Sequence, residues 1–151
     1  MNTKKKVILA RPNPLIVDRM KKFLDRNGFE PVTIHDLEEL KHLSSSREIK
    51  GAIISTSSIS EVDEPVEEVI SELNRKMPFV PVAFASLADF YSISGMLNKA
   101  ISRLSYNAEL INVNEKALSS GKLGRKGAFV VLQKEDLNRG EADEVIGKHF
   151  R

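Results

Sequence analysis

Four apolar residues in succession, Val7-Ile8-Leu9-Ala10, are cut off by Pro12 and Pro14, and this limits what the chain can become. A strand that is apolar at every position is covered on both faces, as in parallel sheets flanked by helices. The prolines stop the strand, and Pro14 fits the first turn of a helix, where its missing N–H costs nothing. Ile16, Met20, Phe23 and Leu24 then fall on one helical stripe. Asn27-Gly28 closes that helix, with Gly28 as the expected left-handed residue. A buried strand feeding an amphipathic helix is the first half of a β-α-β unit.

The pairing repeats down the chain. Pro31-Val32-Thr33-Ile34 reads as a short strand. Asp36 and Glu39 form a capping box for a helix carrying Leu37, Leu40 and Leu43, which Ser44-Ser45-Ser46 closes. Gly51-Ala52-Ile53-Ile54 is a third strand, ending in the hydroxyl run Ser55-Thr56-Ser57-Ser58. Val62, Val66, Val69, Ile70, Leu73 and Met77 keep helical spacing, with Asp63 as a cap and Pro65 in the first turn. Val80 to Ala85 is a fourth strand. A helix from about Asp89 has Ile93, Met96, Leu97, Ala100, Ile101 and Leu104 on one side.

The regularity then falters. Glu109 to Val113 and Ala128 to Leu132 both qualify as strands, and the sequence does not say which is the fifth. Between them lies an irregular basic loop, about 114–127. Its core, 116–126, carries Lys116, Lys122, Arg125 and Lys126 without an acid and reads as mobile. A C-terminal helix of about 134–150 presents Leu137, Val145, Ile146 and Phe150. Alternating strands and helices predict one domain over 1–151, a doubly wound parallel α/β sheet in a flavodoxin-like three-layer α/β/α sandwich. Ligand crevices of such sheets lie beyond the carboxyl ends of the strands. Three segments therefore converge: Arg11-Pro12-Asn13, Ser55-Thr56-Ser57 and Ser86-Leu87-Ala88.

Composition removes several classes of function. The absence of cysteine excludes thiolate catalysis, Cys-based zinc sites and disulfides, and suits a reducing cytoplasm. No apolar run approaches the about 18 residues of a membrane span. Lys4-Lys5-Lys6 precedes only a four-residue apolar run, which is a strand and not a secretory leader. His35, His42 and His149 are scattered, without ligand spacing, so neither metal nor cofactor is expected. Gly121-Lys122-Leu123-Gly124 lacks the spacing of a phosphate loop. No nucleophile is fixed beside a base, so the chain is not read as an enzyme.

From about residue 5 to residue 104 the chain resembles the receiver domain of bacterial two-component response regulators. The likeness rests on Val7 to Ile16, Asn27-Gly28-Phe29-Glu30, Asp36-Leu37-Glu38-Glu39-Leu40 and Pro78-Phe79-Val80-Pro81-Val82. The family implies an acid pair after strand one, a phospho-accepting Asp after strand three, a Ser/Thr after strand four and a Lys after strand five. By position the acid pair falls on Arg11 and Pro12, and the acceptor on Thr56 or Ser55. Ser86 matches the switch hydroxyl, and Lys134 is one candidate for the lysine. Asn13 offers at best one neutral oxygen, and Arg11 repels a divalent cation where the family holds one.

The resemblance therefore implies an atypical pseudo-receiver with a degenerate pocket of Arg11, Pro12, Asn13, Ser55, Thr56 and Ser86. Its expected role is signal transduction by phosphorylation-independent contact with a protein partner or a second copy of the chain. A partner face would include Tyr91, Tyr106 and Lys134, and an anion would sit among Arg11, Thr56 and Ser86. Two alternatives stay open. One is a nucleic-acid-associated protein using Lys116, Lys122, Arg125 and Lys126. The other is a phosphorylatable regulator with a displaced acceptor.

Overall fold

Successive side chains of a strand point to opposite faces, so each wholly apolar strand feeds two cores. In the computed structural model, residues 5–11, 13–44, 48–56, 66–78, 80–113, 117–138 and 140–150 are described. Elements alternate as β1 (Lys5–Ala10), α1 (Val17–Arg26), β2 (Phe29–Ile34), α2 (Leu37–His42), β3 (Ile49–Thr56), α3 (Val66–Lys76), β4 (Val82–Ser86) and α4 (Phe90–Ile101). There follow β5 (Glu109–Asn112), β6 (Ala128–Gln133), a short 3-10 helix (Lys134–Asn138) and α5 (Gly140–His149). The strands form one parallel sheet in the order β2-β1-β3-β4-β6-β5.

Val7, Leu9, Ile53, Ala83, Val130 and Leu132 pack with Met20, Phe23 and Leu24 of α1 and Val145 and Ile146 of α5. Ile8, Ala10, Ala52, Ile54, Phe84 and Val131 face Leu40, Ile70, Leu73, Ile93 and Leu97 of α2, α3 and α4. This is the expected doubly wound, three-layer sandwich.

Local chemistry follows the sequence closely at α2, where Asp36 accepts the Glu39 N–H at 2.8 Å and Glu39 Oε1 accepts the His35 N–H at 2.9 Å. Elsewhere the boundaries differ. Pro14 lies in a turn ahead of α1, not in its first turn, because the Asn13 carbonyl already accepts from Ile16 and Val17. β3 and β4 run on through Ser55, Thr56 and Ser86, which are strand residues and not loop residues. The C-terminal helix divides into the 3-10 helix and α5, and Met96 is partly exposed. Ser45, Ser46, Ser57, Ser58, Val62, Asp63 and Pro65 lie outside the described residues.

Both candidates for strand five are strands. β6 takes the seat beside β4, and β5 lies outside it. Two parallel neighbours need a connection that travels back along the sheet, so the stretch between them has to cover a core face. Ala117 is buried and Leu118 and Leu123 pack against the α1/α5 core. Lys122 Nζ lies 3.0 Å from Glu109, and Lys126 Nζ stands 4.3 Å over the Tyr106 ring. The described part of this stretch is an irregular crossover that packs through Ala117, Leu118 and Leu123 while Ser119 to Lys122, Gly124 and Arg125 stay exposed.

His149 fastens the crossover to the rest. Its side chain is 1% exposed, Nδ1 accepts the Gly124 N–H at 2.9 Å, and Nε2 lies 3.0 Å from the Val82 carbonyl. An accepting Nδ1 requires that Nε2 carry the proton and donate it to Val82. Burial lowers the pKa from 6.5 to about 4, against the smaller opposing pull of the Val82 bond. Between those values the unfolded chain binds a proton that the folded chain refuses. Stability from this source is therefore complete above pH 6.5 and lost as pH falls toward about 4, by roughly 3 kcal/mol in all. Urea midpoints should fall steadily across that window, and His149→Gln should flatten the slope. An unchanged slope in the variant would place the acid sensitivity elsewhere.

Candidate functional site

The register of the sheet brings three polar residues into one row at the carboxyl ends of the strands. Thr56 of β3 pairs with Ser86 of β4, and Ser86 pairs with Gln133 of β6. Each follows a core residue two positions earlier, Ile54, Phe84 and Val131, so all three side chains lie on the α2–α4 side. Thr56 is 2% exposed and Ser86 is 0% exposed, so this end of the sheet is sealed around them.

Each buried hydroxyl is satisfied by nearby backbone. Thr56 Oγ1 donates to the Ala85 carbonyl over a long 3.4 Å. Ser86 Oγ donates to the Ala88 carbonyl and accepts the Ala88 N–H, both at 3.0 Å. Gln133 Nε2 donates to the same Ala88 carbonyl at 3.3 Å, while its backbone N–H donates to Asp136 at 2.8 Å. Ser86 and Gln133 together clip the turn between β4 and α4 onto the end of β6.

The β1 end is built differently. Arg11 leaves the strand with φ of 55°, a left-handed conformation uncommon for a residue with a side chain, and its N–H donates to the Ile34 carbonyl at 2.9 Å. Asn13 Oδ1 accepts the Leu15 N–H at 2.9 Å, so the neutral oxygen considered for a cation is spent on starting α1. Pro12 lies outside the described residues. Ser55 is buried on the other sheet face from Thr56. The expected anion trio is not displayed as a trio, because the Thr56 and Ser86 hydroxyls are inward and bonded. Among the described residues no cluster of three His, Asp or Glu side chains could hold a metal.

Of the residues expected on a partner face, Tyr91 and Lys134 lie toward the carboxyl end of the sheet and Tyr106 beyond the other end of α4. Tyr91 is 86% exposed in the first turn of α4, at its start beside the sheet's carboxyl end. Tyr106 follows the other end of that helix and is half-buried. Its hydroxyl accepts from Asn74 Nδ2 at 2.9 Å, Lys126 covers its ring, and desolvation raises its pKa. Lys134 falls one residue beyond the row, in the 3-10 helix. Gln133 joins the row without any local signal in the sequence. The apolar run ends at Leu132, and only the pairing of β6 with β4 marks the next position as a member of the crevice.

Solved structures share this architecture. A response regulator receiver domain protein from Clostridium thermocellum aligns with 95% of this chain and 90% of its own, with a TM-score of 0.55 and 15% identity. For an orphan response regulator of H. pylori the figures are 100% of both chains, 0.54 and 16%. A sensor protein from Polaromonas gives 97% and 94%, 0.58 and 11%. No family model matches the sequence, and neither does any curated protein. The likeness establishes the fold: a receiver-like parallel α/β sheet with alternating helices.

The row can be tested as a unit. Thr56→Asp places a carboxylate in a sealed site and should cost about 3 kcal/mol in urea denaturation at neutral pH. Adding Gln133→Lys should recover about 1 kcal/mol or more beyond the sum of the single changes, through a pair formed across Ser86. Strict additivity would mean that the two side chains do not share one crevice.

Proposed function

We propose that this domain is a receiver-type signalling module that works without phosphotransfer, by contact with another protein. The observation that carries the reading is the neutral row Thr56-Ser86-Gln133. Receivers depend on an acceptor carboxylate, a hydroxyl and a lysine at these places, with acids nearby to hold Mg²⁺. Here the acceptor position and the lysine position are both uncharged, and the hydroxyl is tied to the turn it would have to move. Asn13 is engaged, and Arg11 has the wrong sign for a cation site. Among the described residues, the row offers no carboxylate to take an acyl phosphate, and the domain is read as a binding module and not a catalyst. Its cysteine-free chain suits the cytoplasm. No helix among the described residues is long and apolar enough to cross a membrane.

The usual receiver contact face, helix four with strand five and helix five, is altered in this chain. β6 holds the fifth-strand seat, and β5 covers its outer edge. Of the residues expected on that face, Tyr91 is largely exposed, and Tyr106 and Lys134 are partly so. A nucleic-acid role for Lys116, Lys122, Arg125 and Lys126, of which Lys116 lies outside the described residues, is the second reading. Against it, Tyr106, the aromatic beside this stretch, is committed to Asn74 and Lys126 and gives no stacking platform.

Incubation with acetyl phosphate and Mg²⁺, followed by intact mass, should leave the protein unmodified. A stoichiometric, base-labile gain of one phosphate would reject the proposal and favour a displaced acceptor. Salt-sensitive retention on DNA or RNA, lost in Arg125→Glu, would move the second reading to first.

A further inference from the structure

The sheet ends on two edges of different character. On β2 the Ile34 carbonyl faces β1, where it accepts from Arg11, so Pro31, three residues earlier, faces outward. A proline there presents no N–H, and such an edge resists further pairing. β5 has no such guard. Glu109 N–H and Val113 N–H donate inward to Gly127 and Val131, so the peptide groups of Leu110 and Asn112 point away from the sheet. Among the described residues they have no partner.

That edge opens on a trough. A cavity of about 220 Å³ is lined by all of Glu109, Leu110, Ile111 and Asn112, with Ala117 and Lys122 of the crossover opposite. Side chains alternate along a strand, so a cavity touching every residue of β5 follows its backbone edge and not one face. Glu109 and Lys122 also line a second cavity of about 260 Å³, which reaches Arg125 and Gly127 at the start of the strand. Lys126 over Tyr106 and Lys148, bonded to the Leu118 carbonyl at 3.3 Å, add positive charge around the crossover. Glu109 opposes these cations and is paired with Lys122.

We propose that the β5 edge is a docking strand for an extended acidic segment of a partner protein, which adds to the sheet beyond β5. Leu110 and Asn112 would supply the backbone hydrogen bonds, and Lys122, Arg125 and Lys126 would supply the charge preference. The same charges argue against a second copy as the occupant. A two-fold pairing of β5 with itself would bring two basic crossovers together. The inference goes beyond the signalling reading, since the edge would bind whether or not the crevice takes a phosphoryl group.

The probe is a short synthetic peptide of alternating valine and glutamate, with a valine–lysine peptide as control, added to the full chain. Amide exchange read by NMR should slow about tenfold or more at Leu110 and Asn112 with the acidic peptide alone. Leu110→Pro, which copies the guard at Pro31, should abolish the protection. Arg125→Glu should weaken it in a chain whose strand is unaltered. The proposal is overturned if the acidic peptide at millimolar concentration leaves both amides unchanged, or if the two peptides protect equally. Protection that rises with protein concentration in the absence of peptide would identify a second copy as the occupant and also reject it.

Discussion

Helices cover both faces of the central sheet, and that burial dictates where polar chemistry can sit. Val7 to Ala10, Ala52 to Ile54 and Phe129 to Leu132 are sealed on both sides, so a polar side chain is tolerated only where a strand ends and backbone partners are at hand. Thr56, Ser86 and Gln133 meet that condition through the Ala85 and Ala88 carbonyls. His149 meets it near the start of β4, with Gly124 on one ring nitrogen and Val82 on the other. The two ends differ in what they hold. At one, the row itself is neutral, with the buried Asp136 carboxylate beside it accepting the Gln133 N–H; at the other, a titratable ring is kept neutral by burial.

Much of the architecture was legible because it is written in local patterns. The four-residue apolar runs, the stripe Ile16-Met20-Phe23-Leu24, the cap at Asp36 and the φ of 82° at Gly28 depend on neighbours a few positions away. Features set by long-range pairing were not legible. Hydroxyl residues after an apolar run look like a loop, yet β3 continues through Ser55 and Thr56 because β4 is there to pair with them. Composition made 116–126 look solvated. Its described lysines are held by partners distant in sequence, Glu109 and Tyr106, and its sparse apolar residues Ala117, Leu118 and Leu123 pack against the α1/α5 core. The candidate site suffered most, since Gln133 belongs to it only through register. The bond that Asn74 donates to the Tyr106 hydroxyl is likewise illegible, because nothing local to Tyr106 foretells Asn74.

The crossover between β5 and β6 is tightly constrained by backbone. Gly127 sits where a Cβ would strike the Asn107 carbonyl, so the chain can re-enter β6 at that point only with glycine. Just past the C-terminal end of α5, Phe150 lies over Gly51 so closely that any side chain there would displace its ring, while its edge meets Phe29 at 6.1 Å between centroids. Overpacking of this sort costs about 1–3 kcal/mol. The last helix and the crossover are thus fastened to the sheet by shape as well as by His149, and β5 is held as a fixed part of the domain.

A fixed outer strand changes how a receiver-like sheet can communicate. Where a buried carboxylate and lysine are present, their protonation or modification alters the charge of a sealed site, and several kcal/mol become available to move a turn. Thr56 and Gln133 offer no such change, and the two bonds to the Ala88 carbonyl resist displacement of the turn after β4. On the reading proposed above, a signal therefore has to enter as binding energy at a surface rather than as chemistry in the crevice. The β5 edge is suited to that role because its open peptide groups lie along a strand that pairs directly with β6, the strand that carries Gln133. Ordering on the edge would reach the clip through one intervening strand, with no charge moved along the way.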